Sequence, residues 1–264
     1  MLLGIKMRVD KKITIAMSSW VAKNLHEAIN IAKVNAFDGI EWDTNYIPIS
    51  ISPDDLRSMK KLILKSCVRL RFHAHNMDVE ISHKNRFLRQ TSLNFLKLYV
   101  NLIEKIGGDY LVVHAGYPSK ECKIEHAIES LKNLVEYGRE HGVTISLENT
   151  PQGFTSDPFC FLELLQKTEA QATFDIGHSN VSNWVKYKKR GSVDFLRLIK
   201  KHVTHAHVYF IENREHVHLP PSNIKEIRPV LDELLDANCN WWTIELADIK
   251  HLIKIKKILT EYLG

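Results

Sequence analysis

Nine side chains, at the ends of expected strands or in the loops beyond them, could bind dications through nitrogen and oxygen: His73, His114, Glu148, Asp175, His178, His207, His216, His218 and Glu245. Imidazole and carboxylate without thiolate suit zinc, manganese, iron(II) or cobalt(II). At roughly four to six ligands per ion, nine are too many for one, so two or three ions are implied. A single histidine at the end of a strand is ordinarily a hydrogen-bonded core residue. The case for metal rests on several such residues converging. The four cysteines, Cys67, Cys122, Cys160 and Cys239, are far apart and contain no Cys-x-x-Cys pair. Neither a disulfide framework nor a thiolate zinc site follows from them.

Six of the nine close short apolar runs. Val143-Thr-Ile-Ser-Leu-Glu-Asn-Thr-Pro151 ends on Glu148 before a proline, Gln171-Ala-Thr-Phe-Asp175 on an aspartate and Trp241-Trp-Thr-Ile-Glu245 on a glutamate. Tyr110-Leu-Val-Val-His114 and Val203-Thr-His-Ala-His207 repeat the pattern with histidine, and Val68 to His73 does the same. Alternate strand residues face opposite sides, so Leu111, Val113, Ile145, Leu147, Ala172, Phe174, Trp242 and Ile244 share one face and the terminal acids and imidazoles the other. Buried charges need partners, and a shared dication supplies them.

These runs fall into a regular scheme. Further strands are expected at Ile13 to Met17 and Phe37 to Trp42. Helices are expected from Asn24 to Asn35, Pro53 to Lys65, Phe87 to Lys105, Ile124 to Tyr137, Pro158 to Lys167, Val193 to Lys201, Ile224 to Asp236 and Ile249 to Tyr262. Capping residues and turn glycines mark several ends. Ile176 to Arg190 reads mostly as loop, and Tyr209 to Asn223 as a long connection. Eight strands alternating with eight helices imply parallel strands and helical crossovers, hence a single-domain (β/α)₈ TIM barrel after an N-terminal extension over residues 1–12. An open doubly wound sheet is the competitor, but no Gly-x-Gly-x-x-Gly loop follows any strand. Barrel enzymes react at the carboxyl ends of the strands, where the acids and imidazoles lie. Arg69 and Arg71 share His73's inward parity, and Glu41 is the nearest inward acid, which predicts a Glu41–Arg71 ion pair. His75 and His205, each two residues from a better ligand, are expected to orient neighbours.

Composition is that of a globular protein: 264 residues, 44% hydrophobic and 25% charged. No apolar run approaches the ~18 residues of a membrane span, and Met1 to Arg8 is too short for a signal peptide, so a cytoplasmic location is expected. The formal charge of +5 is compatible with anionic ligands without being diagnostic. Lys186, Lys188, Lys189 and Arg190 cluster in one loop.

At these residues the chain resembles the xylose isomerase-like barrels, a superfamily that includes sugar (phosphate) isomerases and epimerases and the endonuclease IV group of apurinic-site nucleases. The motifs run in order: Phe37-Asp-Gly-Ile-Glu, Phe72-His-Ala, Val113-His-Ala-Gly, Leu147-Glu-Asn-Thr-Pro, Phe174-Asp-Ile-Gly-His, His205-Ala-His, His218-Leu-Pro-Pro and Ile244-Glu-Leu. The resemblance implies that Glu148, Asp175, His207 and Glu245 hold the metal common to the epimerases, with His178 and Arg214 near the substrate oxygens. For the nucleases it implies a second ion at His73 and His114 with Glu148 bridging, and a third at His178, His216 and His218. Two departures stand out. His216-Val-His218 replaces the usual Asp-x-His, which removes a negative ligand from the third ion. Phe154 stands where ketose epimerases usually place a second glutamate, which argues against a ketohexose substrate.

The expected activity is therefore isomerisation or epimerisation of a small sugar, polyol or sugar phosphate through an enediolate. Glu148 and Glu245 would exchange the proton, with one to three divalent ions per chain, zinc or manganese foremost. The alternatives are a multi-zinc phosphodiesterase acting on nucleic acid and a non-catalytic metal- or sugar-binding barrel. The expected partner is a small carbohydrate and not a membrane, with self-association into a homo-oligomer left open.

Overall fold

The computed structural model describes residues 12–47, 51–74, 79–116, 119–188 and 190–264. All but the last residue of the expected extension fall outside these, as do His75 and Lys189. The strands in chain order are β1 (Thr14–Ser18), β2 (Gly39–Asp43), β3 (Arg69–His73), β4 (Tyr110–Val113), β5 (Thr144–Glu148), β6 (Gln171–Asp175), β7 (Val203–Val208), the short pair β8 (Ile211–Glu212) and β9 (His218–Leu219), and β10 (Trp241–Ile244). All except β8 and β9 pair in parallel and close into an eight-stranded ring in which β10 joins β7 to β1. The chain folds as the (β/α)₈ barrel its alternation implies.

Helices α1 (Leu25–Val34), α2 (Pro53–Ser66), α3 (Arg86–Ile106), α4 (Ile124–Glu140) and α5 (Pro158–Thr168) cover the first five strands. Local chemistry sets their ends. Asn24, Ser52, Asn85 and Asp157 each accept a backbone N–H from the first turn of the helix they cap. Gly107 ends α3 in the left-handed conformation, at φ 87°. The outward strand residues Leu111, Val113, Leu147, Ala172, Phe174, Trp242 and Ile244 are fully buried beneath the helices. Each large one contributes about 1.5–3 kcal/mol in area removed from water.

Three segments differ from the sequence expectation. Ile176 to Lys188 is not loop but two short helices, α6 (Ile176–Val181) and α7 (Asn183–Lys188). The reason is local: the Asp175 carboxylate that closes β6 also accepts the His178 N–H at 2.6 Å, so a helix starts on the next residue. Two more helices follow, α8 (Ser192–Ile199) and α9 (Arg228–Asp236), each shorter than expected and flanked by a 3₁₀ turn. The connection after Tyr209 contains the antiparallel hairpin β8–β9, which pairs Ile211 with Leu219 and Glu212 with His218. The last helix, α10 (Ile249–Leu263), closes the barrel.

Candidate metal centre

Inward-facing residues stack in layers from the amino to the carboxyl end of the ring. The top layer carries His73, His114, Glu148, Asp175, His207 and Glu245, and two groups that share Glu148 form there, with a further set of Glu41, His73, His207 and Glu245 overlapping both. Glu148, Asp175, His207 and Glu245 offer ligand atoms that all lie within 4.8 Å of one another, as do His73, His114 and Glu148. Glu148 belongs to both. Its Oε2 lies 2.9 Å from the Nε2 atoms of His73 and His114, and its Oε1 lies 3.2 Å from Nδ1 of His207.

His207 is the centre of the first group. Its Nε2–H donates to Glu41 Oε1 at 2.9 Å, which directs the Nδ1 lone pair into the barrel mouth. Facing Nδ1 are Glu148 Oε1 at 3.2 Å, Asp175 Oδ2 at 3.3 Å and Glu245 Oε2 at 3.3 Å. Three carboxylate oxygens around one nitrogen lone pair need a cation among them. In the metal-free chain a proton fills the role. Burial alone would lower the imidazolium pKa, but Glu245, Glu41 and Glu148 outweigh it and hold it well above the usual histidine range. Burial likewise raises the Glu148 carboxyl, and His207 and His114 overcome it, holding the group well below the usual range. Glu245 Oε2 is buried and makes no hydrogen bond. An orphaned carboxylate oxygen beside two other carboxylates and an imidazole, with no thiolate, fits a hard or borderline dication.

A third group lies to one side: His178, Glu212 and His218, again with ligand atoms within 4.8 Å. The Nδ1–H of His178 donates to the Asn149 carbonyl at 3.0 Å and that of His218 to the Glu245 carbonyl at 3.1 Å. With Nδ1 so occupied, Nε2 is the atom that each neutral ring could offer to a cation. Burial opposes protonation of His178, yet Asp175 and Glu148 raise its pKa to about 10; for His73, Glu148 and Glu41 overcome burial and raise it to about 9. The Tyr209 ring stacks on His218 with centroids 3.8 Å apart and fixes its plane.

His216, expected in this third group, is not brought to it. It adopts a left-handed backbone, φ 58°, in the β8–β9 turn, and its side chain is 85% exposed. That turn sends the imidazole to the outer side, where its Nδ1 lies 2.5 Å from Glu212 Oε1. The carboxylate that stands beside this group is that of Glu212, whose Oε2 sits 3.5 Å from His178 Nε2. The sequence reading missed Glu212 because the hairpin strands are two residues long. The usable signal was cross-strand pairing, which puts 212 and 218 on one face. Arg214 lies exposed in the turn between β8 and β9.

The expected Glu41–Arg71 ion pair is not formed. The two residues are partners in register on β2 and β3. Glu41, however, is taken by His205 Nε2 at 2.7 Å, His207 Nε2 at 2.9 Å and the Thr243 hydroxyl at 2.9 Å. The Arg71 side chain turns toward the base, over the Tyr110 and Trp241 rings. His205 thus orients Glu41 from one layer below; burial is the main cause that drives its own pKa down to about 3.

A closed parallel barrel whose carboxyl mouth is lined by imidazoles and carboxylates from several strands defines a class. Over residues 29–259 the chain matches the family model described as xylose isomerase-like TIM barrel, and it belongs to that family. It is 31% identical over 227 residues to Uncharacterized protein MJ0008 of Methanocaldococcus jannaschii, which covers 85% of this chain and 88% of that one. Among solved structures it resembles a D-tagatose 3-epimerase-like protein with a TM-score of 0.78 at 23% identity, over 95% of this chain and 97% of that one. It also resembles the 3-keto-D-glucoside 4-epimerase YcjR of E. coli, with a TM-score of 0.72 at 13% identity over 94% and 100%. These likenesses show a shared fold.

Proposed function

We propose that the protein is a divalent-metal-dependent isomerase or epimerase of a small sugar, polyol or sugar phosphate. The observation that carries this reading is the placement of Glu148 and Glu245, whose oxygens lie 3.2 and 3.3 Å from the same His207 nitrogen. They arrive from the ends of β5 and β10, which β6 and β7 separate in the ring. Glu148, Asp175, His207 and Glu245 would hold the ion, whose Lewis acidity acidifies a C–H bond beside a carbonyl. One carboxylate takes that proton and the other returns one from the opposite side, which inverts the carbon or moves the carbonyl. His178 lies at the edge of the same mouth, placed to contact substrate oxygens. That solved structures of like fold are titled as sugar epimerases agrees with this chemistry.

Proton exchange tests it. The zinc- or manganese-loaded chain, given ketoses and ketose phosphates in deuterated water, should incorporate deuterium beside the carbonyl of one of them. Glu148→Gln should slow this by about 10²–10⁴-fold. Full turnover in that variant, with the ion shown bound by elemental analysis, would remove the proton-transfer role.

A second reading, hydrolysis of phosphodiesters, is favoured by one specific observation. Glu148 links the His73–His114 group to the His207 group, and a complete His178–Glu212–His218 group lies beside them. Three ions per chain, with salt-sensitive cleavage of abasic-site duplex and no carbon-bound exchange, would select it.

A further inference from the structure

The amino end of the barrel holds two positive charges that no carboxylate pairs with. Arg69 and Arg71 share the inward parity of β3, below the metal-binding candidates; Arg69 reaches solvent and Arg71 is half-buried. The Arg71 guanidinium lies 3.7 Å from the Tyr110 ring centre and 4.5 Å from that of Trp241, and the Arg69 guanidinium lies 5.1 Å from the same indole. Gly39 makes this possible, because a β-carbon there would lie 2.7 Å from the Trp241 ring. Arg69 donates to the Thr14 hydroxyl at 2.5 Å and Arg71 to the Thr204 carbonyl at 3.3 Å, both uncharged acceptors. Neither guanidinium forms an ion pair among the described residues. Glu41 is committed to two histidines, and Asp109, which lines the same cavity and acts on Arg71 through space, makes no bond to it.

Aromatic faces and neutral acceptors stabilise each cation singly. They do not cancel the repulsion of two cations sharing one ring. Barrel interiors are ordinarily filled by layers of branched aliphatic side chains. At this end a cavity of about 730 Å³ opens to solvent and reaches outward to α2, lined by both arginines together with Asp109, Thr144, Gln171 and Asn240. Planar guanidinium forks match the oxygens of phosphate and carboxylate.

We propose that this cavity binds the oxyanion group, phosphate or carboxylate, of a small molecule through Arg69 and Arg71, at the end of the barrel opposite the metal candidates. The site does not depend on which reaction the mouth performs.

Calorimetric titration of the full chain with inorganic phosphate and, separately, with malonate tests it. One anion should bind once per chain, more weakly as sodium chloride is raised, and the preferred anion identifies the group. Arg69→Gln should weaken binding by about tenfold or more. Arg69→Lys, which keeps the charge but loses the fork, should fall between. Glu148→Gln, at the mouth, should bind the anion as the unaltered chain does. Absence of binding by either anion would overturn the proposal. So would unchanged affinity in a folded Arg69→Gln variant, or loss of binding in Glu148→Gln.

Discussion

Two carboxylates that the strand-end pattern did not single out as ligands, Glu41 and Glu212, decide how the imidazoles are aimed. Glu41 accepts the Nε2–H of His207 and so selects the tautomer that faces the mouth. Outer partners of this kind change metal affinity by about 10–100-fold when removed. Glu41→Gln should therefore weaken ion binding by that factor in competition with a fluorescent chelator. Unchanged affinity would mean that packing alone orients His207. Glu212 and His216 give an opposed pair. Glu212→Ala should lower the number of ions retained per chain, whereas His216→Ala, truncating an exposed imidazole, should leave it unchanged by elemental analysis. At this scale the sequence was readable where period-two alternation put a titratable residue at a strand end. Glu41 was assigned to Arg71 because register predicts neighbours but not which way a long side chain turns. Glu212 was hidden because a hairpin of two-residue strands has too little alternation to detect.

Secondary structure was legible wherever an element was long and amphipathic. Helices such as α3 and α4 carry regular apolar faces, and α3 adds recognisable caps in Asn85 and Gly107. Helices α6 and α7 have six residues each, too few to display a period. Their formation depends on the Asp175 cap and on close packing at Gly177, where a β-carbon would overlap the Tyr209 ring. Gly177→Ala should destabilise the fold by about 1–3 kcal/mol through overpacking. It should also disturb the Tyr209–His218 stack, giving a lower melting temperature together with weaker binding of the ion at His178. Loss of stability with no change in that ion would mean that Tyr209 does not position His218. Asn149 ties the same region together: its side-chain amide donates to the Asp175 carbonyl at 2.9 Å and its side-chain oxygen accepts the Asp175 N–H at 2.8 Å. This pins the ends of β5 and β6, and so two of the four candidate ligands.

For the molecule as a whole, ion binding at the proposed site would be linked to folding. The mouth gathers Glu148, Asp175 and Glu245, and without a dication only protons on histidine offset them. A saturating ion at about 100 times its dissociation constant adds ~2.7 kcal/mol, so a chelator should lower the melting temperature by roughly 5–10 °C. The metal-free chain should also show its own pH dependence. His73 and His178 have folded values raised to about 9 and about 10. Their stabilising contribution is complete below the unfolded value of about 6.5 and is lost as pH rises through the folded values. On the acid side, Glu41 and Glu148 are lowered, so their contribution is present above the usual carboxylate value and lost as pH falls through the folded ones. Melting temperatures of the chelated chain should therefore decline between pH 7 and 10, while those of the loaded chain, whose ligating imidazoles are already neutral, should decline less. Parallel curves would show that protons and ions do not compete for these side chains.

One irregularity bears on how such a barrel can change over time. In β7, Thr204 has no partner in β6, because Ala172 aligns with Val203 while Thr173 aligns with His205. Two consecutive residues consequently serve the interior, Thr204 meeting the Tyr110 hydroxyl near the base and His205 meeting Glu41 above it. Losing a residue from a regular strand reverses every side chain beyond it. Losing Thr204 would not, since Val203 and His205 already stand in the phase of an uninterrupted strand. A deletion of Thr204 would thus keep both histidines inward while removing the carbonyl that Arg71 donates to and the hydroxyl that meets Tyr110.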